Sequence, residues 1–437
     1  MATVTISDIR NWMNDTFVSK VEDQLNREIL AVELFKQHNT GFTDGQAIVP
    51  INYARNNSGG YRGETSDLPT AGEIGRARLS VDAKYLYSRM ELTGPAIESG
   101  RNNPNGLKAT LQEEIDGCLE SLSNRANNYF FSGGGCIGFI TERNGNIAAR
   151  NVDFFGNAEH IPAKGTTIDV DLVRLDTYET ILSNRGMELA TTPTSATSSA
   201  VVNFDGPLID TSGLPEGTVV AVVVNSDQTY ADASAGGTAE TVEQQTTGIL
   251  HNLASGTHFS LNRATAHDGG KFVPLQSNFD TGITNANGLG VDFESKQLQN
   301  LLTKIQRQSD KRPDMFFVEH GFMDAYIETL TSITSSNFRI TNNQSGKGAD
   351  AGFNTQQMSY AGIPFRASRH APKGCVIALA PSTWVHVTLK GPGMADLDGS
   401  VLSRKSEKDA YEAYARYYHN LVCKRPNANG VLVGVKN

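Results

Sequence analysis

The stretch GGYRGETSDLPTAGEIGRARLSV, residues 59–81, carries almost nothing to bury until its last residues. Strand-like alternation stands before it in AIVPINYA (47–54) and after it in LSVDAKYLY (79–87), where Leu79, Val81, Ala83, Tyr85 and Tyr87 share one face. Connections of this length without structure of their own are uncommon in compact domains and mark functional or disordered segments. The pattern predicts a two-stranded arm with a large polar, glycine-rich tip.

On the N-terminal side, Ile9, Met13, Phe17, Val21, Leu25, Ile29 and Val32 recur at steps of four and three across residues 7–38, with Ser7 available as an N-cap. This spacing predicts one long amphipathic helix, or two in series, before GFTDGQ breaks it. Beyond the arm, the turn signal GRNNPNG precedes Leu107, Leu111, Ile115, Leu119, Leu122, Ala126 and Phe130. That is a single apolar stripe on a long helix over 107–131, one side on a sheet and the other toward solvent. Residues 136–290 lose charge and gain Gly, Thr, Ser and Ala, with short apolar runs between turn signals, as in an all-β insert. TTPTSATSSA (191–200) reads as an extended link. Helical periodicity returns at 292–309, capped by Asp292, followed by the strand MFFV and a helix around Met323–Leu330. From Tyr360 strands alternate with Gly and Pro turns and end in DAYEAYARYYHNLV and GVLVGV.

The chain has 437 residues, ample for a real core, and 38 basic against 47 acidic residues give a net charge of −9. That balance argues against a protein that holds nucleic acid by neutralising phosphates. Four scattered cysteines, Cys118, Cys136, Cys375 and Cys423, form no CxxC pair and read as free thiols in a reducing compartment. MATVTISDIRNWMNDTF has neither a basic n-region nor an apolar core, and no apolar run approaches the roughly 20 residues of a membrane span.

Chemical motifs fall short in turn. SGKG (345–348) has Thr341 and Gly348 where a phosphate loop needs Gly and Ser or Thr. DLDG (396–399), aligned as a calcium loop, puts Met394 and Lys405 at ligand positions. Asp169, Asp171 and Asp176 form the densest carboxylate cluster and read as a solvated strand. His320, after the strand in FFVEHGF, lacks a nucleophile motif. Tyr411, Tyr414, Tyr417 and Tyr418 resemble a stacking platform, but neighbouring Asp409 and Glu412 favour sheet packing. No enzyme, cofactor or metal site is expected.

The order of parts, helical arm, long hairpin, one-stripe helix, mixed α/β and β-rich end, resembles the major capsid proteins of tailed bacteriophages with the Hong Kong 97 fold. YAGIPFRASRHAPKG, DLDGSVLSRK and YYHNLVCKRPNANGVLVGV are similar to that family's closing strands, and RPDMFFVEHGF to its strand before an A-domain helix. The resemblance implies an α+β fold with an N-arm (1–45), an E-loop that is an extended β-hairpin (46–94), and the spine helix with the first part of the P-domain (95–165). A β-rich insertion and P-domain link (166–290), an A-domain with P-domain segments (291–400) and closing P- and A-domain strands (401–437) complete it. Residues 165–255 match nothing in detail.

The resemblance also implies function. The chain is expected to assemble in a bacterial host's cytoplasm into pentamers and hexamers of an icosahedral or prolate virion shell. Double-stranded DNA would be enclosed without sequence-specific binding, with portal, scaffolding and decoration proteins as partners and no membrane. Expected contacts between copies are Arg62, Glu64, Asp67, Glu73, Arg76 and Arg78 around the E-loop tip, and Ile9, Phe17 and Leu25 on the N-arm. No charged scaffolding segment precedes the arm, so a separate scaffold protein, or none, is expected. The tip from Asn56 to Arg78 has no lysine, so the isopeptide cross-link of some relatives has no donor. An encapsulin-like shell housing cellular cargo is the alternative, and a hydrolase or glycan-binding protein built on the β insert a third reading.

Overall fold

The structure is a computed structural model that describes residues 30–333 and 358–436 with interruptions, the longer at 141–148, 155–163, 191–198, 205–219, 232–238, 264–277, 282–290 and 396–400. The N-terminal helical pattern lies outside the described residues as far as 29. From there Leu30–Leu34 is a helix (α1) and Gln37–His38 a strand (β1), so the helix stops short of the expected end at 38. The reason is tertiary. Phe35 turns into the core, and β1 pairs in parallel with a C-terminal strand at Gln37–His386.

The arm is an antiparallel pair of Gln46–Ala54 (β2) and Gly75–Asp82 (β3), in register from Gln46–Asp82 to Ala54–Gly75. The expected second strand, however, is two strands. After Ala83 the chain leaves the arm and runs as Lys84–Thr93 (β4) in another sheet. Leu79, Val81 and Ala83 are buried while Tyr85 and Tyr87 are half exposed, because the inward face of β4 begins afresh with Leu86 and Ser88. One continuous period of two therefore concealed a change of sheet.

Pro104–Ser132 forms one helix (α2) of 29 residues, about 43 Å long at 1.5 Å per residue, with proline at its first position where the missing N–H costs nothing. Leu122, Ala126 and Phe130 are buried as expected, yet Asn127, Asn128, Tyr129 and Phe131 are buried as well. The stripe widens to the whole circumference at the C-terminal end. There Phe130 meets Phe35, and Phe131 meets Phe317, as the helix drives between two sheets.

Strands Cys136–Ile140 (β5), Ala149–Phe154 (β6), Thr167–Arg174 (β7), Thr180–Leu189 (β8), Ser199–Phe204 (β9) and Val220–Val224 (β10) close into a barrel in the order β9-β6-β5-β10-β7-β8. Its interior is filled by apolar side chains such as Val170, Leu172, Met187, Val202 and Val222. The barrel starts where the β-rich pattern of 136–290 starts, and so takes in residues 136–154, which the resemblance had assigned with the spine helix to 95–165. A barrel has no sheet edge left to pair with other chains.

After the barrel come Ser295–Gln308 (α3), Met315–Val318 (β11), His320–Ile333 (α4), Ile363–Ala367 (β12), Cys375–Leu379 (β13), Trp384–Met394 (β14), Ala410–Cys423 (β15) and Gly430–Val433 (β16). The cap of α3 is Glu294, not Asp292, since Val291–Asp292 is committed to a parallel pairing with Val435–Lys436. Its backbone N–H donates to Gln297 Oε1 at 3.3 Å. One sheet has β13 at its centre with β16 and β11 beside it, and packs Phe316, Val376 and Leu432 against α3 and α4. The other sheet pairs β15 with β14 on one edge and β4 on the other.

Leu172 is 1% exposed inside the barrel. Leu172→Ala should lower stability by about 2–5 kcal/mol, whereas Thr167→Ala on the outside should change it by less than about 0.5 kcal/mol. Denaturant melts of the two variants check this.

Candidate assembly surfaces

The root of the arm is fixed. Ala47, Val49, Ile51, Leu79 and Val81 face Val385 and Val387 of β14 and Val422 of β15. Each fully buried aliphatic side chain contributes about 1.5–3 kcal/mol, so the root is anchored by the chain's own core. Gly45, at φ +80°, turns the chain into β2. At the far end Gly75 admits the Tyr53 ring, since a Cβ there would stand 2.6 Å from Cε2.

Beyond the root the described residues of the arm are mostly exposed. A nine-residue strand carries the tip about 30 Å from its base. Residues 58–74 form no strand; local order comes from Asn56, whose Oδ1 accepts from Ser58 N at 3.0 Å, and from a Gly63–Ser66 turn. Arg62, Glu64, Asp67 and Glu73 are all exposed there. Arg76 and Arg78 lie lower, on the outward face of β3 opposite Asn52 and Pro50. The structure thus groups four of the six expected tip charges at the end and two along the shaft. Sequence reasoning passed over Tyr61 and Leu68, at 108% and 89% exposure, together with Ile74. Large apolar groups in a polar loop were the available signal, because exposed hydrophobics at a projecting tip mark a contact surface.

Ile9, Phe17 and Leu25 lie outside the described residues. The described end of the N-terminal arm is held by Ala31, whose N–H donates to Asn127 Oδ1 of α2 at 2.8 Å, and by Phe35 against Phe130 and Trp384.

A second exposed surface lies on the face of β4 and β15 turned away from α2. Tyr85, Tyr87, Tyr414 and Tyr418 meet edge to face there, with centroids 5.0–6.4 Å apart. Tyr87 donates to Tyr418 Oη at 3.2 Å, and that bond, with burial, raises its phenol to about 12. The Arg416 guanidinium lies 5.9 Å from the Tyr418 ring centre. Below it Arg89 pairs with Glu412, and Lys405 donates to Glu91 at 3.0 Å, which holds the Glu91 carboxyl below the usual carboxylate range. Tyr417 alone of the tyrosine run is fully buried, so the run is split between the two faces of one strand.

The chemical candidates are dispersed. His320 is exposed at the start of α4, and Asp169 and Asp171 alternate with buried Val170 and Leu172 on β7. Asp176, SGKG and DLDG fall outside the described residues. Among the described residues no three His, Cys, Asp or Glu side chains are grouped to hold a metal, and no helix is long and apolar enough to cross a membrane. All four cysteines are buried and none is in a disulfide; burial raises the Cys423 thiol to about 12 and Cys375 further.

No protein-family description matches the sequence, and no curated protein matches it significantly. Solved structures do. A chain of the cyanophage A-1(L) capsid asymmetric unit superposes with a TM-score of 0.56 at 10% identity, over 97% of both chains. A capsid chain of an empty GTA particle gives 0.49 at 9% identity over 100% of both. An encapsulin complex of Synechococcus elongatus gives 0.43 at 11%, over 100% of this chain and 97% of the other. At such identities the likeness is one of fold, and the cyanophage chain carries it. With its rooted hairpin, long helix and two sheets, the chain has the Hong Kong 97-like capsid fold.

Proposed function

We propose that this chain is a major capsid protein that assembles into pentamers and hexamers to form the head shell around a phage's double-stranded DNA. The observation that carries the reading is the arm. Its root is buried in the chain's own core, while its tip holds Tyr61 and Leu68 fully open to water beside Arg62, Glu64, Asp67 and Glu73. A surface of that kind is completed by another copy, with apolar anchors giving affinity and mixed charges giving register. Stable interfaces of permanent assemblies commonly exceed about 2,000 Å², an area that projecting arms supply more readily than rounded bodies. The likeness to a cyanophage capsid chain supports the same reading. In it, residues 1–45 serve as N-arm, 46–94 as E-loop, and the barrel as the insertion. The net charge of −9 fits DNA confined rather than gripped.

Electron microscopy of the purified chain and of particles tests this: closed shells support it, discrete small oligomers overturn it, and shells filled with protein instead of DNA point to cargo housing. Deleting Ser58–Ile74 and rejoining with a tight turn should leave a folded monomer by circular dichroism, because the root contacts remain. Sedimentation should then find no shells. Normal shells, or an unfolded chain, would show the tip to have another purpose.

Because the tip has no lysine, particles boiled in detergent and reductant should migrate as single chains near 47.2 kDa. A ladder of covalent rings on the gel would contradict the non-covalent interlocking assigned to the arm.

A further inference from the structure

Two buried histidines lie where α2 seats on the sheet. His386 of β14 and His419 of β15 are fully buried, with His386 Nε2 3.2 Å from His419 Nδ1 and 3.2 Å from Tyr417 Oη. Phe130 of α2 stands edge-on to both rings, at 5.1 and 5.6 Å, and the Tyr417 ring stacks on His419 at 3.9 Å. The outer nitrogens, His386 Nδ1 and His419 Nε2, have no hydrogen-bond partner.

This arrangement accommodates two neutral rings and no proton. Between neutral imidazoles one N–H donates to the other's lone pair. An imidazolium donates from both nitrogens, so a proton on either ring adds a buried, unmatched donor and a buried charge. The described side chains in contact with the pair include no carboxylate that would balance the charge. Tyr417 of β15 sets its hydroxyl against His386 Nε2, Phe130 of α2 presents its ring edge with Phe35 behind it, and Lys84 of β4 stands opposite His419 in the strand register. Burial accordingly lowers His386 to about 4, and burial followed by the His386 charge lowers His419 well below the ordinary value.

We propose that His386 and His419 form an acid-operated latch that releases the C-terminal end of α2 from the sheet on which it seats. The latch belongs to the single chain and does not depend on what that chain assembles into. Its sign follows from the depressed folded values. Opened rings regain an ordinary pKa near 6.5 and bind protons that closed rings refuse. The closed seat is therefore stable above about pH 6.5 and is progressively lost as pH falls toward 4. Each proton taken up on opening raises the opening equilibrium about tenfold per pH unit, and two protons about a hundredfold.

Cys118 reports the event, since its side chain packs with Tyr417 and Ala415 between α2 and β15. The full chain is labelled with 4,4′-dithiodipyridine at pH 7.0 and 5.5, rates are divided by that of free cysteine at the same pH, and labelled thiols are located by mass spectrometry. Relative labelling of Cys118 should rise about tenfold or more at the lower pH, with Cys375 of β13 unchanged. In the double variant His386→Asn, His419→Asn the rise should fall below about twofold. If that variant does not fold, His419→Gln alone should halve the slope of log rate against pH. A flat response in the native chain, an undiminished slope in the variant, or an equal rise at Cys375, which signals global unfolding, would each overturn the latch.

Discussion

Much of the described chain is positioned by strand Ala410–Cys423, which is hydrogen-bonded along both edges and covered on its inner face. One edge takes β4 from Thr93 to Lys84, and the other takes β14 from Met394 to Trp384. The inner face receives α2 through Ala415 and Tyr417. Buried amides then tie in segments that do not pair with it. Asn420 donates to Asp82 O at 2.7 Å, at the base of the arm, and accepts from Thr247 N at 3.0 Å. Asn252 donates to Leu421 O and accepts from Cys423 N. A buried amide left unpaired costs about 1–3 kcal/mol, so each of these contacts specifies position as much as it stabilises.

That centralisation explains how one end of the arm can be rigid while the other is open. The root residues of β2 and β3 reach Val422 itself. The tip is exposed at Tyr61, Leu68 and its charges, and its local order includes two short turns. Stiffness is spent where the arm must keep its direction, and the part that would meet a neighbour carries exposed Tyr61 and Leu68 instead of internal contacts. Ordering that tip costs about 1–2 kcal/mol of backbone entropy per residue, a debt that only a partner surface can offset.

Much of this was legible in the sequence where the signal is local. The period-3.6 stripe of Leu122, Ala126 and Phe130, the alternation of Ala47, Val49 and Ile51, and the capsid-like order of elements all correspond to the observed fold. What failed was tertiary. Tyr85 and Tyr87 continued a perfect alternation, yet the change of sheet at Ala83 is fixed by β15, more than three hundred residues away. Asp292 was the better N-cap by type, but pairing with Lys436 removed it and left Glu294. The insert read as β, but its closure depends on β9 meeting β8 and β6 in register, which no local pattern encodes. At the arm's tip the sequence reading named the charges and passed over the exposed Tyr61 and Leu68, because a polar loop draws attention to its charges. His386 and His419 are 33 residues apart, and neither flank marks them as neighbours.

The helix α2 is the element on which these constraints converge, and its two ends differ in kind. From Ala126 to Phe131 it is buried among α1, the two sheets and the underside of the barrel, where Phe139, Val173 and Ala221 turn outward from the barrel to join Phe131 and Phe317 in one core. A helix held so firmly at one end transmits any change at that end along about 43 Å of rod, since an α-helix bends little without proline or an inserted group. Yet the seat is not wholly apolar. Asn127, Asn128, His386 and His419 are buried in it, and polar groups in such a place cost stability that leucine or phenylalanine would not. The asparagine at 127 is accounted for by its bond to Ala31, which locks α1 to α2. The histidines bond only to each other and to Tyr417, with their outer nitrogens unmatched, so this pair is the part of the seat whose stability depends on its charge state.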